Sequence, residues 1–294
     1  MGIGTWAWGD GLYWGYGRDY DETDIRAAFE ASIAAGINLF DTAEVYGFGK
    51  SERLLGQFAQ GANPPVVMAS KFMPLPWRLR RGSLRRALRG SLRRLGTESV
   101  GLYQMHWPFP PIPIASWMGA MADAVQEGLV QAVGVSNYNV KQLRRAHAAL
   151  AKRGVPLASN QVEYSLLQRA PERTGLLDAC RELDVTLIAY SPLAQGLLTG
   201  KYTADAPPSG VRGRRAGKKR LVKIEPLVAR LREIGAAHDG KNPAQVSLNW
   251  TICKGTVPIP GAKNVRQAQE NAGALGWRLT DEEVASLDKA SEAL

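Results

Sequence analysis

Short apolar runs alternate along the chain with longer stretches in which apolar residues recur every three to four positions. The short runs predict strands at Ile3–Trp8, Ile37–Asp41, Val66–Lys71, Val100–His106, Ala132–Ser136, Ala158–Val162, Val185–Tyr190 and Thr256–Ile259. The longer stretches predict helices at Asp24–Ala35, Trp117–Glu127, Val140–Ala151, Glu172–Leu183, Leu221–His238 and Pro243–Cys253. In the first of these, Ile25, Ala28, Phe29, Ser32 and Ile33 share one narrow face. Thr280 and Glu283 have capping-box spacing and open a terminal helix.

Strands separated by helices imply a parallel sheet with helices packed on it. Such strands are buried on both faces and read as nearly unbroken apolar runs, as residues 66–70 and 185–190 do. About eight units in series, with no break in composition, predict an α/β fold over residues 1–294. The expected architecture is a closed (β/α)8 TIM barrel with an extra C-terminal helix and a long loop after the seventh strand. An open doubly wound sheet fits less well. It would carry a glycine-rich phosphate turn leading into a helix, whereas Gly2-Ile3-Gly4 lacks the third glycine and the helix.

Composition narrows the picture. The 294 residues are 45% hydrophobic, enough for one barrel core. Cys180 and Cys253 form no CxxC pair, and His106, His147 and His238 are scattered, so no metal site is expected. No run approaches the roughly 20 apolar residues of a membrane span. The first residues read as a strand, not as a secretion signal. A cytoplasmic location is expected, or a plastid one if a transit peptide has been removed.

The net charge of +10 is concentrated in residues 78–94 and 212–223. Both clusters could serve a polyanion. In the first, Leu84, Leu88, Leu92 and Leu95 recur at helical spacing, which puts most arginines on a solvated face. No aromatic stacking platform accompanies them, so nucleic acid is not an expected partner. The second lies in the Gly- and Pro-rich stretch 194–220, which reads either as a lid over an anionic ligand or as a plain solvated loop.

In a barrel enzyme, catalytic groups sit at the C-terminal ends of strands. Here the second strand ends at Asp41 with Tyr46 just beyond, the third at Lys71, the fourth at His106, the fifth at Ser136-Asn137 and the seventh at Tyr190-Ser191. The sixth carries Asn160-Gln161. A phenol is a weak acid at neutral pH, but a neighbouring ammonium favours the phenolate. Lys71 could thus lower the pKa of Tyr46, with Asp41 holding Lys71 and His106 bonding a substrate carbonyl oxygen. Such a set suits carbonyl reduction, with hydride from a cofactor. Taken singly, each residue has a bland reading as a packing or capping group.

The motifs Asp41-Thr-Ala-Glu-Val-Tyr46-Gly47, Lys71, Leu102-Tyr-Gln-Met-His106, Gly134-Val-Ser-Asn137, Asn160-Gln-Val162, Ala189-Tyr-Ser-Pro-Leu193 and Ile259-Pro-Gly-Ala-Lys263 resemble the aldo-keto reductase family in order and spacing, across essentially the whole chain. The nearest likeness is to its plant and bacterial branch with pyridoxal-reductase-like members, through Trp6–Asp10, Leu157–Tyr164 and Gly276-Trp277.

The resemblance implies an NADPH-dependent enzyme reducing aldehydes or ketones, with Asp41, Tyr46, Lys71 and His106 as its catalytic set. It implies that Ser136, Asn137 and Gln161 hold the nicotinamide carboxamide and that Tyr190 stacks on the ring. Ser191, Pro192, Leu193, Gln195, Gly196 and Lys201 would lie along the pyrophosphate. Gly261, Lys263, Gln267, Glu270 and Asn271 would hold the adenosine end, with Lys263 at the 2′-phosphate and NADH therefore the lesser cofactor. One of Arg212, Arg214 and Arg220 would reach a phosphate from the long loop. The family's N-terminal hairpin is absent from this sequence. A small carbonyl substrate and a monomer or weak oligomer are expected. The resemblance also leaves open a nucleotide-sensing interaction module, like the potassium-channel beta subunits of the family.

Overall fold

The computed structural model describes residues 1–78, 80–208, 217–292 and 294. Eight parallel strands follow one another in sheet order: β1 (Ile3–Gly4), β2 (Leu39–Asp41), β3 (Val67–Phe72), β4 (Val100–Met105), β5 (Val130–Ser136), β6 (Leu157–Glu163), β7 (Thr186–Tyr190) and β8 (Val257–Ile259). The amides of Gly2 and Gly4 donate to the carbonyls of Pro258 and Pro260, which brings β8 against β1 and closes the ring.

Helices α1 (Glu22–Ala34), α2 (Lys50–Ala59), α3 (Arg81–Leu95), α4 (Ile114–Gln126) and α5 (Val140–Ala151) cover the outside of the first strands. They are followed by α6 (Ala170–Arg173), α7 (Leu176–Glu182), α8 (Lys218–Ala237), α9 (Pro243–Cys253), α10 (Val265–Ala272) and α11 (Asp281–Glu292). Local chemistry sets their starts. Asp21, Asn139 and Asn242 each accept a hydrogen bond from the N3 amide of the helix they precede, and the N3 side chain returns it. At the last helix, Thr280 Oγ1 accepts from the Glu283 amide while Glu283 accepts from the Thr280 amide.

Most of the apolar core lies between the strands and the helices, where Phe29, Phe40, Trp8 and Phe58 pack ring to ring. The barrel interior holds a smaller cluster of Ala69, Leu102, Ile188 and Ile259, with Leu39, Ala132, Tyr190 and Val257 packed against it. Neighbouring strands stay in parallel register through this layer, with Ala69 beside Leu102 and Ile188 beside Val257.

Three elements depart from the sequence expectation. Strand β1 stops at Gly4 because the chain turns at Thr5, whose carbonyl accepts from the Trp8 amide. Trp8 is fully buried instead, its indole donating to the Ala262 carbonyl. The helix expected over 172–183 is two pieces, because Gly175 adopts a left-handed φ of 70° between α6 and α7. After β7 the chain makes a short 3-10 turn, Ala194–Thr199. Of the expected phosphate ligands in the long loop, Arg212 and Arg214 lie outside the described residues. Arg220 sits exposed in the first turn of α8 and does not line the cleft described below.

Candidate active site

Side chains two positions apart on a strand share a face. One step beyond the apolar barrel layer, Leu39 gives way to Asp41, Ala69 to Lys71 and Leu102 to Gln104. A polar layer thus caps the apolar one, and all three side chains are almost completely buried. Gly134 on β5 leaves room for it. A Cβ there would stand 2.5 Å from the Ser159 hydroxyl and 2.9 Å from Gln104 Cγ.

Lys71 is the hub. Its ammonium donates to Asp41 Oδ2 at 2.5 Å, to the Thr42 carbonyl at 2.8 Å and to the Tyr46 hydroxyl at 3.5 Å. All three N–H bonds are therefore directed. The other Asp41 oxygen accepts from Gln104 Nε2 at 3.0 Å and Gln161 Nε2 at 2.8 Å. An ion pair removed from water persists when its remaining polar valences are filled in this way.

Tyr46 opens a short 3-10 turn, Tyr46–Gly49. That turn passes so close to the Gly9 carbonyl that a Cβ at Gly47 would lie 2.9 Å from it, and φ there is +53°. Glu44 anchors the same loop. It accepts from the Met73 amide and takes both guanidinium nitrogens of Arg78, each at 2.9 Å. One arginine of the first basic cluster is thereby fixed beside the site. The ring of His106 stands edge-on to Tyr46 with centroids 5.9 Å apart.

The protonation states follow from burial and charge. Burial works to lower the Lys71 pKa, but the Asp41 carboxylate and the Tyr46 hydroxyl outweigh it and leave the pKa raised, so Lys71 stays charged. For Tyr46, burial raises the pKa more than the Lys71 ammonium lowers it. The expectation of a net lowered phenol pKa is therefore corrected, since desolvation outweighs the single cation. His106 is pushed down to about 3 by burial and by Lys71, so its imidazole is neutral at working pH. Its Nδ1 is buried with no hydrogen-bond partner among the described residues.

Asp41, Tyr46 and His106 line a cleft of about 830 Å³, and Lys71 stands directly behind them. The fifteen candidate cofactor residues line the same cleft, from Ser136, Asn137 and Gln161 through Tyr190–Leu193, Gln195, Gly196 and Lys201 to Gly261, Lys263, Gln267, Glu270 and Asn271. Several are tied to one another. Ser136 donates to the Gln161 carbonyl, Asn137 to the His106 carbonyl, and the Tyr190 hydroxyl to Asn137 Oδ1. At the far end, Gln267 accepts from the Lys263 amide and Asn271 donates to the Gly261 carbonyl. The Lys263 ammonium donates to the Trp14 carbonyl and lies over the Trp14 and Tyr20 rings. Glu270 faces Arg266 across 3.8 Å.

The aromatic segment after β1 forms the wall beside the phenol. Trp6 stacks on Tyr13 with ring centroids 5.2 Å apart and lies 6.2 Å from the Tyr46 ring. Tyr13 donates to Gln195 across the mouth. Trp14 and Trp107 line the cleft, whereas Trp117 is buried against Phe72 and takes no part in it. Two hydrogen-bond partners of Asp41 were missed in the sequence. Gln104 shares strand parity with Leu102 and His106, a signal that was legible. Gln161 was assigned to a cofactor amide alone, and its bond to Asp41 depends on the barrel bringing together residues 120 apart in sequence.

Comparison with known proteins points one way. The model of the aldo/keto reductase family matches residues 1–292. The chloroplastic pyridoxal reductase of Arabidopsis thaliana is 46% identical over 99% of this chain and 83% of that protein. An aldo/keto reductase from Klebsiella pneumoniae, solved with NADP and acetate, is 31% identical with a TM-score of 0.77, covering 98% of this chain and 89% of that one. The glycerol dehydrogenase of Gluconobacter oxydans is 26% identical with a TM-score of 0.85, covering 98% and 90%.

Proposed function

The chain belongs to the aldo/keto reductase family, and from that premise we propose that it reduces aldehyde or ketone carbonyls with NADPH, Tyr46 giving the proton. The observation that carries this reading is the fully buried Lys71 ammonium, shared between the Asp41 carboxylate and the Tyr46 hydroxyl at the cleft wall.

The cleft suits a dinucleotide. It is long, near the upper end of the roughly 300–1,000 Å³ of ligand pockets, and polar along the side formed after β5 to β8. Ser136, Asn137 and Gln161 would hold a carboxamide, and Tyr190 offers a ring face beside Tyr46. The segment 191–196 and Lys201 would follow the pyrophosphate. Lys263, Gln267, Glu270 and Asn271 would hold the adenosine end, with the Lys263 ammonium favouring a 2′-phosphate. The bound NADPH would supply hydride, which no side chain carries.

The protein's own groups would do the rest. Neutral His106 would donate a hydrogen bond to the carbonyl oxygen and polarise it. Tyr46, protonated at neutral pH, would give up its proton as charge develops on that oxygen. Lys71 would offset the phenolate left behind, and Asp41 would keep Lys71 aimed. The aromatic wall of Trp6, Trp14 and Trp107 would receive a planar apolar body, which makes aromatic aldehydes, pyridoxal among them, the substrates to try first.

The test is NADPH consumption with a panel of aldehydes and ketones, run beside NADH. Turnover with at least one aromatic aldehyde and a preference for NADPH are expected. No consumption with any member, while NADPH binds tightly, would overturn the catalytic reading in favour of a nucleotide sensor.

A further inference from the structure

The charge of the molecule is unevenly placed. Residues 78–153 contain thirteen Lys and Arg against three Asp and Glu, an excess of ten that equals the net charge of the entire chain. The remaining residues are balanced. The proposed chemistry uses only Arg78 from this set, through its bond to Glu44.

The excess is carried by α3, by α5 and by Lys152 and Arg153 directly after α5, around a second groove. This groove has a volume of about 640 Å³ and shares no lining residue with the cleft. Its floor is small and apolar, formed by Pro113, Ile114, Ala115, Ala148 and Ala149. Its rim carries Arg81, Arg145, Lys152 and Arg153, and among the described residues no carboxylate lines it. Arg81 and Arg153 both reach Asp123, at 2.8 and 2.9 Å, so one carboxylate holds two guanidiniums. Both converge over Gly119, where a Cβ would meet Arg81 at 3.0 Å and Arg153 at 3.9 Å. Arg145 and Lys152 are exposed and make no ion pair among the described residues. On the neighbouring helix, Arg86, Arg89 and Arg93 follow i, i+3, i+7 spacing, are exposed, and have no ion pair among the described residues.

Like charges gathered on one face repel one another in the free protein. Outside residues 78–153 acids and bases are equal in number, yet among the described residues Asp123, from within this stretch, is the one carboxylate that pairs with the rim. We infer that the α4–α5 groove is a docking site for an acidic amphipathic segment of a partner protein, its apolar side chains on the alanine floor and its carboxylates on the basic rim. A strip of apolar floor between cationic edges matches a helix with one apolar stripe flanked by Glu or Asp. A nucleic acid lacks that stripe, and the groove offers no aromatic side chain for a base to stack on.

The test uses the full chain and a fluorescent peptide of about 18 residues with Leu at helical spacing and Glu elsewhere. A scrambled peptide of the same composition and a single-stranded oligonucleotide of equal charge serve as competitors. Binding by the patterned peptide is expected, weakening as salt rises. The R145E/K152E double variant should lower its affinity about tenfold, while K219E/R278E, which reverses two exposed cations elsewhere, should change it less than about twofold. Carbonyl reduction should be the same in all three proteins, so this outcome is separate from that of the catalytic reading. Equal losses in both double variants, equal binding of the scrambled peptide, or tighter binding and full displacement by the oligonucleotide would each overturn the inference.

Discussion

At the scale of the residue, the site is governed by one ammonium that water cannot reach. Removing one partner of a buried ion pair leaves the other charged and unsatisfied, which costs about 3–5 kcal/mol. Asp41→Asn should therefore lower unfolding stability by about that amount in urea titrations, and by far more than the same change at exposed Asp178, whose partner Arg181 lies in water. His106 gives a pH signature. Its folded-state pKa of about 3 lies below the ordinary 6.5, so only the unfolded chain takes up its proton between those values. Its contribution to stability is thus intact above pH 6.5 and falls away as the pH drops toward 3. Denaturation midpoints of the wild type should decline across that window more steeply than those of His106→Phe. Neutral His106 also means that turnover should show no inflection near pH 6.5 from this residue. The raised Tyr46 pKa keeps the proton donor loaded through neutral pH, so reduction should weaken only as the solution becomes strongly alkaline, while alcohol oxidation should strengthen there.

At the scale of the element, the site depends on loops being held at the ends of rigid strands. The loop after β2 carries Tyr46 and is clamped to the β3–α3 connection by the Glu44–Arg78 fork. Glu44→Gln loses one ionic partner of that fork and should lower kcat about tenfold with little change in melting temperature, because the loop and not the core is loosened. Gly134→Ala should do both kinds of harm, since its methyl collides with Gln104 and the Ser159 hydroxyl inside the polar layer. Cap changes should separate the two effects: Thr280→Ala removes a capping box far from the cleft and should cost about 1 kcal/mol of stability with kcat unchanged. Element types were legible because periodicity reports burial. Boundaries were less so. The run Ile3–Trp8 looks like a strand because it is mostly apolar, yet Trp8 is buried by a turn that docks its indole on Ala262. Gly175 inside 172–183 was the visible warning of a break, and the apolar spacing on either side of it hid that warning.

At the scale of the whole molecule, the barrel converts positions far apart in sequence into one mouth. Asp41, Lys71 and His106 could each be placed at a strand end from the sequence, because strand ends in a barrel share a rim. The balance of forces at that rim could not, because burial is a property of the closed fold. Lys71 was expected to set the Tyr46 acidity, and desolvation proves the larger influence. Gln104 and Gln161 meet over Asp41 only because β2, β4 and β6 curve round to face one another. The basic face of residues 78–94 was read as a solvated surface, and only the folded arrangement reveals beside it a groove with a cationic rim. The most direct test of the central claim is single-turnover hydride transfer from NADPH to an aromatic aldehyde in the wild type and in Tyr46→Phe, with NADPH affinity measured alongside by fluorescence. The phenylalanine protein is expected to bind NADPH as the wild type does and to transfer hydride slower by about 10²- to 10⁴-fold. Equal transfer rates in the two proteins would contradict a role for the Tyr46 hydroxyl as proton donor.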